Sequence, residues 1–347
     1  MKSSYTKEDV IILLKDVTGM IEPLDTAQRE KRIQSGIHYS EMLPLEYKPS
    51  SKYIELYKES LNLHAKITAV SIKNISEKII KLHGKDVVIV SLARAGTPIG
   101  ILIKRYIKKK YNIDVFHYTI SIIRGRGIDN NAMKYILKRH KAKNIQFVDG
   151  WIGKGAIISE LKKELKNYSG IDERLAVVAN PSGLPAISGT TEDFLIPSAC
   201  LNAPVSGLFS RTILNSNIIG ENDFHGAVYL ENLKKYDVSY DFINTIEKHF
   251  DDEVELENKE YNEINEAENI ARHFDISDIN FIKPGIGETT RVLLRRVPWK
   301  VLVKDINDNK YIGHIKQLCK EKNVEILEYP LIRYRACGII KNLNSDI

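Results

Sequence analysis

Between residues 85 and 182 the chain alternates between two hydrophobic periods. VVIVSLA (87–93) is a continuous apolar run of strand length. TPIGILIKRYIKKKYN (97–112) carries Ile99, Ile103 and Ile107 on one stripe above a basic face, the spacing of an amphipathic helix. The same switch repeats. VFHYTISII (115–123) predicts a strand and NAMKYILKRHK (131–141) a helix. NIQFVD (144–149) predicts a strand, GAIISELKKELKNY (155–168) a helix and RLAVVAN (174–180) a strand. Strand–helix alternation at this spacing predicts a parallel sheet covered on both faces, with any ligand beyond the carboxyl ends of its strands. Upstream, Leu61, Ala65, Ile72, Ile75, Ile79 and Leu82 recur at helical steps, which predicts one long helix stopped by Gly84. Thr6 to Asp9 ahead of VIILL (10–14) resembles a capping box and predicts a helix start. LPLEYKPSSKY (43–53) is a proline-containing connector.

The pattern loosens between about 181 and 250, where Pro, Gly, Ser and Thr accumulate. A structureless loop of that length is rare in a domain, so a folded insert over the sheet edge is expected. An acidic run from Asp251 to Glu268 follows, opposed by Lys259 alone, and reads as a linker or a solvated helix. RVLLRR, KVLV, HIKQLCKEKN, VEILEYP and CGII in the remainder suffice for one small α/β domain. The expected class is therefore α/β, a parallel-sheet core with a helical N-terminal region and a small C-terminal α/β domain. The expected boundaries are 1–250 (core about 85–182, hood from 1–84 and 183–250), 251–269 for the acidic linker and 270–347.

Composition narrows the function classes. With 43% hydrophobic and 28% charged residues, the 347-residue chain is of ordinary globular type. No window approaches the ~18 apolar residues of a membrane span, and MKSSYTKEDV has no secretory core, so a cytoplasmic protein with no membrane partner is expected. Cys200, Cys319 and Cys337 are too few and too scattered for a disulfide frame or a Cys-based zinc site. The net charge of +6 permits an anionic ligand or RNA without demanding either.

Three strand ends carry unusual loops. SLARAGTPIG (91–100) places Arg94 and Gly96 ahead of a helix with Pro98 in its first turn. IIRGRGIDNN (122–131) is a basic loop with Arg124, Arg126, Gly127 and Asp129, and VDGWIGKGA (148–156) joins Asp149 to a glycine-rich helix start. Alone, the first reads equally as an ordinary turn with a solvated arginine, and the second reads first as a solvated turn. Together they offer a helix-start phosphate cradle, a carboxylate and at least three arginines at one sheet edge. That suits a ligand with phosphates at both ends and hydroxyls between. The spacing is neither that of a Walker A loop nor G-x-G-x-x-G.

VDGWIGKGAI resembles the PRPP-binding motif of type I phosphoribosyltransferases, with Gly150 where that family has a second acid and Ile157 where a Thr is common. IQSGIHYSEMLPLE (33–46), IPSACLNAPVSGLFSRT (196–212) and PGIGETTRVLLRRVPWKVLV (284–303) extend the resemblance. They look like the phosphoribosyltransferase of bacterial tellurium-resistance and stress gene clusters, also labelled StiP-type cysteine proteases, with a C-terminal Pelota/L7Ae-like RNA-binding domain. The resemblance implies transfer of ribose 5-phosphate from PRPP, with substrate-bound Mg2+, to an unidentified acceptor. It implies that Asp149 orients the ribose, that Gly153, Lys154, Gly155 and Ala156 hold the 5′-phosphate, and that Ala93, Arg94, Ala95 and Gly96 form the pyrophosphate loop. Arg124 and Arg126 would close over the leaving group. His38, Tyr39, Asp193 and Ser198 are candidates for the acceptor pocket. Gly285, Gly287, Glu288, Arg291 and Arg295 are candidates for contact with structured RNA.

Two further readings stay open. One is a non-catalytic regulator that senses a phosphoribosyl ligand and binds RNA. The other is a cysteine hydrolase using Cys200, against which stands the frequent burial of inert cysteines.

Overall fold

The computed structural model describes residues 1–256, 258–259 and 265–342, the side chains of Thr26, Glu30 and Gln34 excepted. Glu257, Glu260 and Glu263 of the acidic run, and residues 343–347 of the expected C-terminal domain, lie outside the described residues.

Alternation along the strands decides which helix packs where. In Val88–Leu92, Val88 and Val90 face one hydrophobic cluster while Ile89 faces another. Phe147 and Val148 divide likewise, as do Val177 and Val178. Past the short helix α1 (Thr26–Gln34), one cluster takes Ile72, Ile75 and Ile79 of helix α2 (Ser51–His83) and Ile99, Ile103 and Ile107 of α3 (Gly96–Tyr111). The other takes Met133 and Ile136 of α4 (Asn130–Leu137) and Ile158, Leu161 and Leu165 of α5 (Ala156–Leu165). The sheet is therefore covered on both faces, as period-two burial in parallel strands requires.

The six strands are all parallel. Their spatial order is Ile11–Ile12, Phe116–Ile120, Val88–Leu92, Ile145–Trp151, Ala176–Ala179, Ile187–Thr190. From Val88–Leu92 the chain steps to one side for Phe116–Ile120, then returns to the other for Ile145–Trp151. The order reverses between Val88–Leu92 and Ile145–Trp151, and a crevice opens at such a point beyond the strand ends.

The helix expected from Thr6 and VIILL is corrected. Only one turn forms, with Val10 N–H donating to the Thr6 carbonyl at 3.1 Å, and Ile11–Ile12 then adds to the sheet beside Tyr118 and Thr119. The reason is tertiary. Asp9, expected to start a helix, is gripped by Arg105 of α3 at 2.8 and 2.9 Å, and Val10, Leu13 and Leu14 are buried on both sides of the chain. The folded insert expected after residue 181 is present. Ile187–Thr190 becomes the sheet's last strand, short 3-10 turns follow at Pro197–Cys200 and Ala203–Val205, and α6 (Ser239–Glu247) packs against α2 and α3.

The C-terminal sheet runs Ile282–Pro284, Ala336–Ile340, Pro298–Val303, Glu325–Glu328, the first two pairings antiparallel and the last parallel. Helix α7 (Glu266–His273) covers it through Ala267 and Ile270. Helices α8 (Ile286–Arg295) and α9 (Asn309–Lys322) lie on the side turned to the large sheet. One hydrophobic cluster joins Leu56 and Phe194 to Ala199 and Cys200, then to Ile286, Leu293 and Ile312.

Candidate functional site

At the reversal point the backbone of one strand end lies against the next. A Cβ on Gly96 would stand 2.5 Å from the Val148 carbonyl oxygen and 3.0 Å from the Asp149 Cα, so only glycine lets the 93–96 turn pass the 148–149 strand end. Six residues after Asp149, Gly155 caps α5 at φ +85°, and a Cβ there would run into the Leu184 side chain. Gly155→Ala is therefore expected to lose about 1–3 kcal/mol, combining the left-handed penalty with the collision. A urea unfolding midpoint equal to that of the parent would contradict it.

The glycines leave the first amides of α5 facing a cleft of about 930 Å³. Asp149, Gly153, Lys154, Gly155, Ala156 and Arg124 line one wall. Lys283, Glu288, Arg291, Arg333 and Tyr334 of the C-terminal domain line the other. Hydrogen bonds cross between the walls. Tyr334 Oη donates to the Gly153 carbonyl at 3.2 Å, Lys154 Nζ to the Ile279 carbonyl, Arg333 to the Ser182 carbonyl, and Arg124 to Asn280 Oδ1 at 3.4 Å. Arg291 stacks over Trp151 at 4.7 Å and pairs with Glu288 at 3.3 Å.

Charge is strained here in both directions. Burial pushes Asp149 up to about 6, although the Gly150 amide at 2.7 Å and the Arg291 charge pull the other way. Burial, then the charges of Lys283 and Arg124, bring Lys154 down to about 8, with Asp278 opposing. Lys283 is lowered too, first by burial. Among the described residues no three His, Cys, Asp or Glu side chains come together to hold a metal.

The structure separates several residues that the sequence suggested as partners. Arg94 turns from the cleft to Glu46 at 2.6 Å and the Phe209 carbonyl at 3.4 Å, leaving Ala95 to line the cleft. Burial opposes the Glu46 charge, but Arg94 and then Arg295 outweigh it and hold the carboxyl below its usual range. Arg126 pairs with Glu41 at 2.6 Å. His38 and Tyr39 lie against this loop, with Tyr39 Oη reaching the Arg124 carbonyl at 3.5 Å and Arg211 over the Tyr39 ring at 4.6 Å. Asp193 and Ser198 lie elsewhere, under α8. Asp193 accepts the Ile286 and Arg335 amides at 2.9 and 2.8 Å. Burial raises its carboxyl to about 6 against these amides. Ser198 Oγ is buried with no hydrogen-bond partner among the described residues.

The segment suggested for RNA contact faces the core. A Cβ on Gly287 would touch Ala199 and Trp151 at 3.8 Å, and one on Gly153 would touch Glu288 at 3.6 Å. Arg295 donates to the Cys200 carbonyl at 3.2 Å and to Asn202. Lys283, Asn280, Tyr334 and Glu46 are not among the residues that the sequence singles out. No local motif marks them, because each acquires its role from a residue more than 45 positions away.

Comparison with known proteins agrees with this two-part layout. Residues 3–247 match the family model described as tellurite-like stress resistance cysteine protease StiP. The chain belongs to the StiP family. Residues 262–342 match the PELOTA RNA binding domain. A StiP relative from Acinetobacter baylyi, named as a cysteine protease, is 34% identical over 366 residues, covering 99% of this chain and 94% of its own. A Helicobacter pylori xanthine-guanine-hypoxanthine phosphoribosyltransferase aligns over 37% of this chain and 72% of its own, at 18% identity. Its TM-score of 0.23 carries no argument.

These findings correct the expectation of a PRPP-dependent, Mg2+-assisted phosphoribosyltransferase. The StiP family and its curated member are named for a cysteine protease, and nothing of argumentative weight supports pentosyl transfer. The geometry gives a physical reason. Gly150 supplies no second carboxylate, Asp149 sits in surroundings that disfavour its charge, and Arg94 and Arg126 are spent on Glu46 and Glu41. No membrane-crossing helix is found, since none among the described residues is long and apolar enough.

Proposed function

We propose that this protein is an RNA-binding member of the StiP stress-resistance family, and that RNA phosphates enter the cleft between the glycine-rich loop and the C-terminal domain. The observation that supports this reading is the make-up of the second wall. It belongs to the segment matching the PELOTA RNA binding domain, and it sets Lys283 opposite Lys154 and Arg124 across the cleft. Backbone amides at the α5 start and unpaired cations suit phosphate oxygens. RNA binding of this kind weakens steeply with salt through counterion release. Fluorescence anisotropy with single-stranded RNA tests it. A dissociation constant rising at least tenfold between 50 and 200 mM salt is the expected result. No binding at the lower salt overturns the reading.

A second reading, cysteine hydrolysis, comes from the names of the family and the relative. Within residues 3–247 the sole cysteine is Cys200, so a nucleophile in that segment is this one. Its thiol is fully buried, and burial pushes it up to about 12, against pulls from Ser60, Arg295 and Arg291. No histidine hydrogen-bonds to it among the described residues. A reactive thiolate needs such a base and access. Hydrolysis on this reading requires α8 to lift from the Pro197–Cys200 turn. The native protein at neutral pH is expected to leave Cys200, Cys319 and Cys337 unlabelled by a thiol reagent, since all three are buried and raised to about 12. Selective labelling of Cys200, with hydrolysis lost in Cys200→Ser, would favour this reading over the first. Equal labelling of all three would count against it.

A further inference from the structure

Resting on the RNA reading, the geometry points to a more specific ligand. The cleft seats a compact, multiply charged terminal phosphate, gripped by both domains at once through Lys154 and Arg124 of the core and Lys283 of the C-terminal domain. An internal phosphodiester is not its intended occupant.

The argument begins with charge density. Three cations from three different elements converge on one stretch of the cleft. Lys154 comes from the turn before α5, Arg124 from the loop after Ile122–Ile123, and Lys283 from the strand Ile282–Pro284. Their mutual repulsion is felt, because Lys283 and Arg124 both act against the Lys154 ammonium and Arg124 acts against Lys283. Asp278 and Glu288 act directly on these lysines, with Arg296 a further cation near Lys283, and Asp149, Glu266 and Glu268 also line the cleft. Asp278 already accepts the Asn280 amide at 2.8 Å, and Glu288 already pairs with Arg291. Lys283 forms no side-chain hydrogen bond or ion pair among the described residues. Among the described residues the Arg124 side chain has only the long contacts to Asn280 Oδ1 at 3.4 and 3.5 Å. Lys154 has only a carbonyl, that of Ile279.

The carboxylates that act most directly on the two lysines are therefore already engaged, in a partly desolvated place. A like-charge cluster of this kind is costly unless an anion enters it. An internal phosphodiester brings one negative charge. A terminal monophosphate brings close to two and a terminal triphosphate more, within the same few ångströms. The α5 amides beside Lys154 add fixed dipoles aimed at the same anion. Because Lys283 sits on one wall and Lys154 on the other, an occupant joins the two domains.

The test compares one short single-stranded RNA carrying a 5′-triphosphate, a 5′-monophosphate or a 5′-hydroxyl, in the full-length protein and in Lys283→Gln and Lys154→Gln. Inorganic tripolyphosphate serves as competitor. The triphosphate form is expected to bind at least tenfold more tightly than the hydroxyl form. Either substitution is expected to weaken the triphosphate form far more than the hydroxyl form and so erase most of that difference, with circular dichroism and melting temperature as folding controls. Equal affinity for the three forms in the parent overturns the inference, as does a preference that survives in both variants. The two readings fail separately. If no RNA binds but tripolyphosphate does, and Lys283→Gln loses it, the RNA reading falls and the phosphate seat stands.

Discussion

Asp193→Ala is expected to destabilise the protein by roughly 2–4 kcal/mol, as two buried backbone amides lose their acceptor. Asp193 is 5% exposed and belongs to the insert after the sheet, yet both hydrogen bonds it accepts come from the C-terminal domain. One amide is that of Ile286 at the start of α8, where a carboxylate also meets the helix dipole. The other is that of Arg335, beside the strand Ala336–Ile340. Burial of the carboxylate works against this gain, which is why its carboxyl lies near 6 and why the estimate falls below the sum of two full penalties. Asp193→Asn keeps one acceptor oxygen and is expected to lose about half as much. The measurements are urea midpoints for both variants, with limited proteolysis of the full-length protein as a readout of docking. Unchanged midpoints and unchanged cleavage would mean that the carboxylate contributes nothing to holding the domains together.

Acid is expected to loosen the same interface. His64 of α2, buried, and His314 of α9, half-buried, lie between the two parts of the molecule, His64 stacked on Tyr311 at 6.1 Å and His314 joined to Thr290 at 2.9 Å. Burial brings both down to about 4, with Lys310 acting further on His64, and His64 further on His314. The folded state therefore holds both rings neutral, while the unfolded chain protonates them near 6.5. Their contribution to stability is complete above about pH 6.5, falls as the pH drops through 6 and 5, and levels off below about 4. A shift of that size corresponds to roughly 3 kcal/mol for one ring, less than twice that for two that repel each other. Asp149 and Asp193 act in the opposite sense, since carboxyls raised to about 6 favour the folded state as the pH falls toward 4. His117, brought down to about 3 by burial, adds to the loss. The clean measurement is a difference. His64→Phe keeps the stack on Tyr311, and its stability is expected to fall by about 2–3 kcal/mol less than the parent's between pH 7 and pH 4.5. Parallel stability curves would refute the assignment to His64.

The expected chemistry was the hardest part of the sequence to read. The loops at 93–96, 124–126 and 149–156 do gather near one sheet edge, and the glycine signals at Gly96 and Gly155 correspond to a close approach and a left-handed cap. Whether Arg94 faces a ligand could not be read locally, because its direction is set by Glu46, 48 positions away. Asp193 looked like a pocket acid and is a clamp, since its partners at 286 and 335 are brought to it by the docking of α8. VIILL misled for a related reason. A five-residue apolar run satisfies helix and strand alike, and the choice fell to the free edge beside Phe116–Ile120 and to Arg105.

By itself the sequence determined the alternation of strand and helix from 87 to 180, the two-sided burial that follows from it, the long helix α2 and the small second α/β unit. These rest on hydrophobic period, a property of neighbours along the chain. Only the tertiary structure decided which charges meet. It set Lys283 across from Lys154, took Arg94 away to Glu46, and closed α8 over Cys200. Such pairings depend on long-range packing between residues that share no local pattern. A charged side chain takes its partner and its pKa from that packing rather than from its own segment.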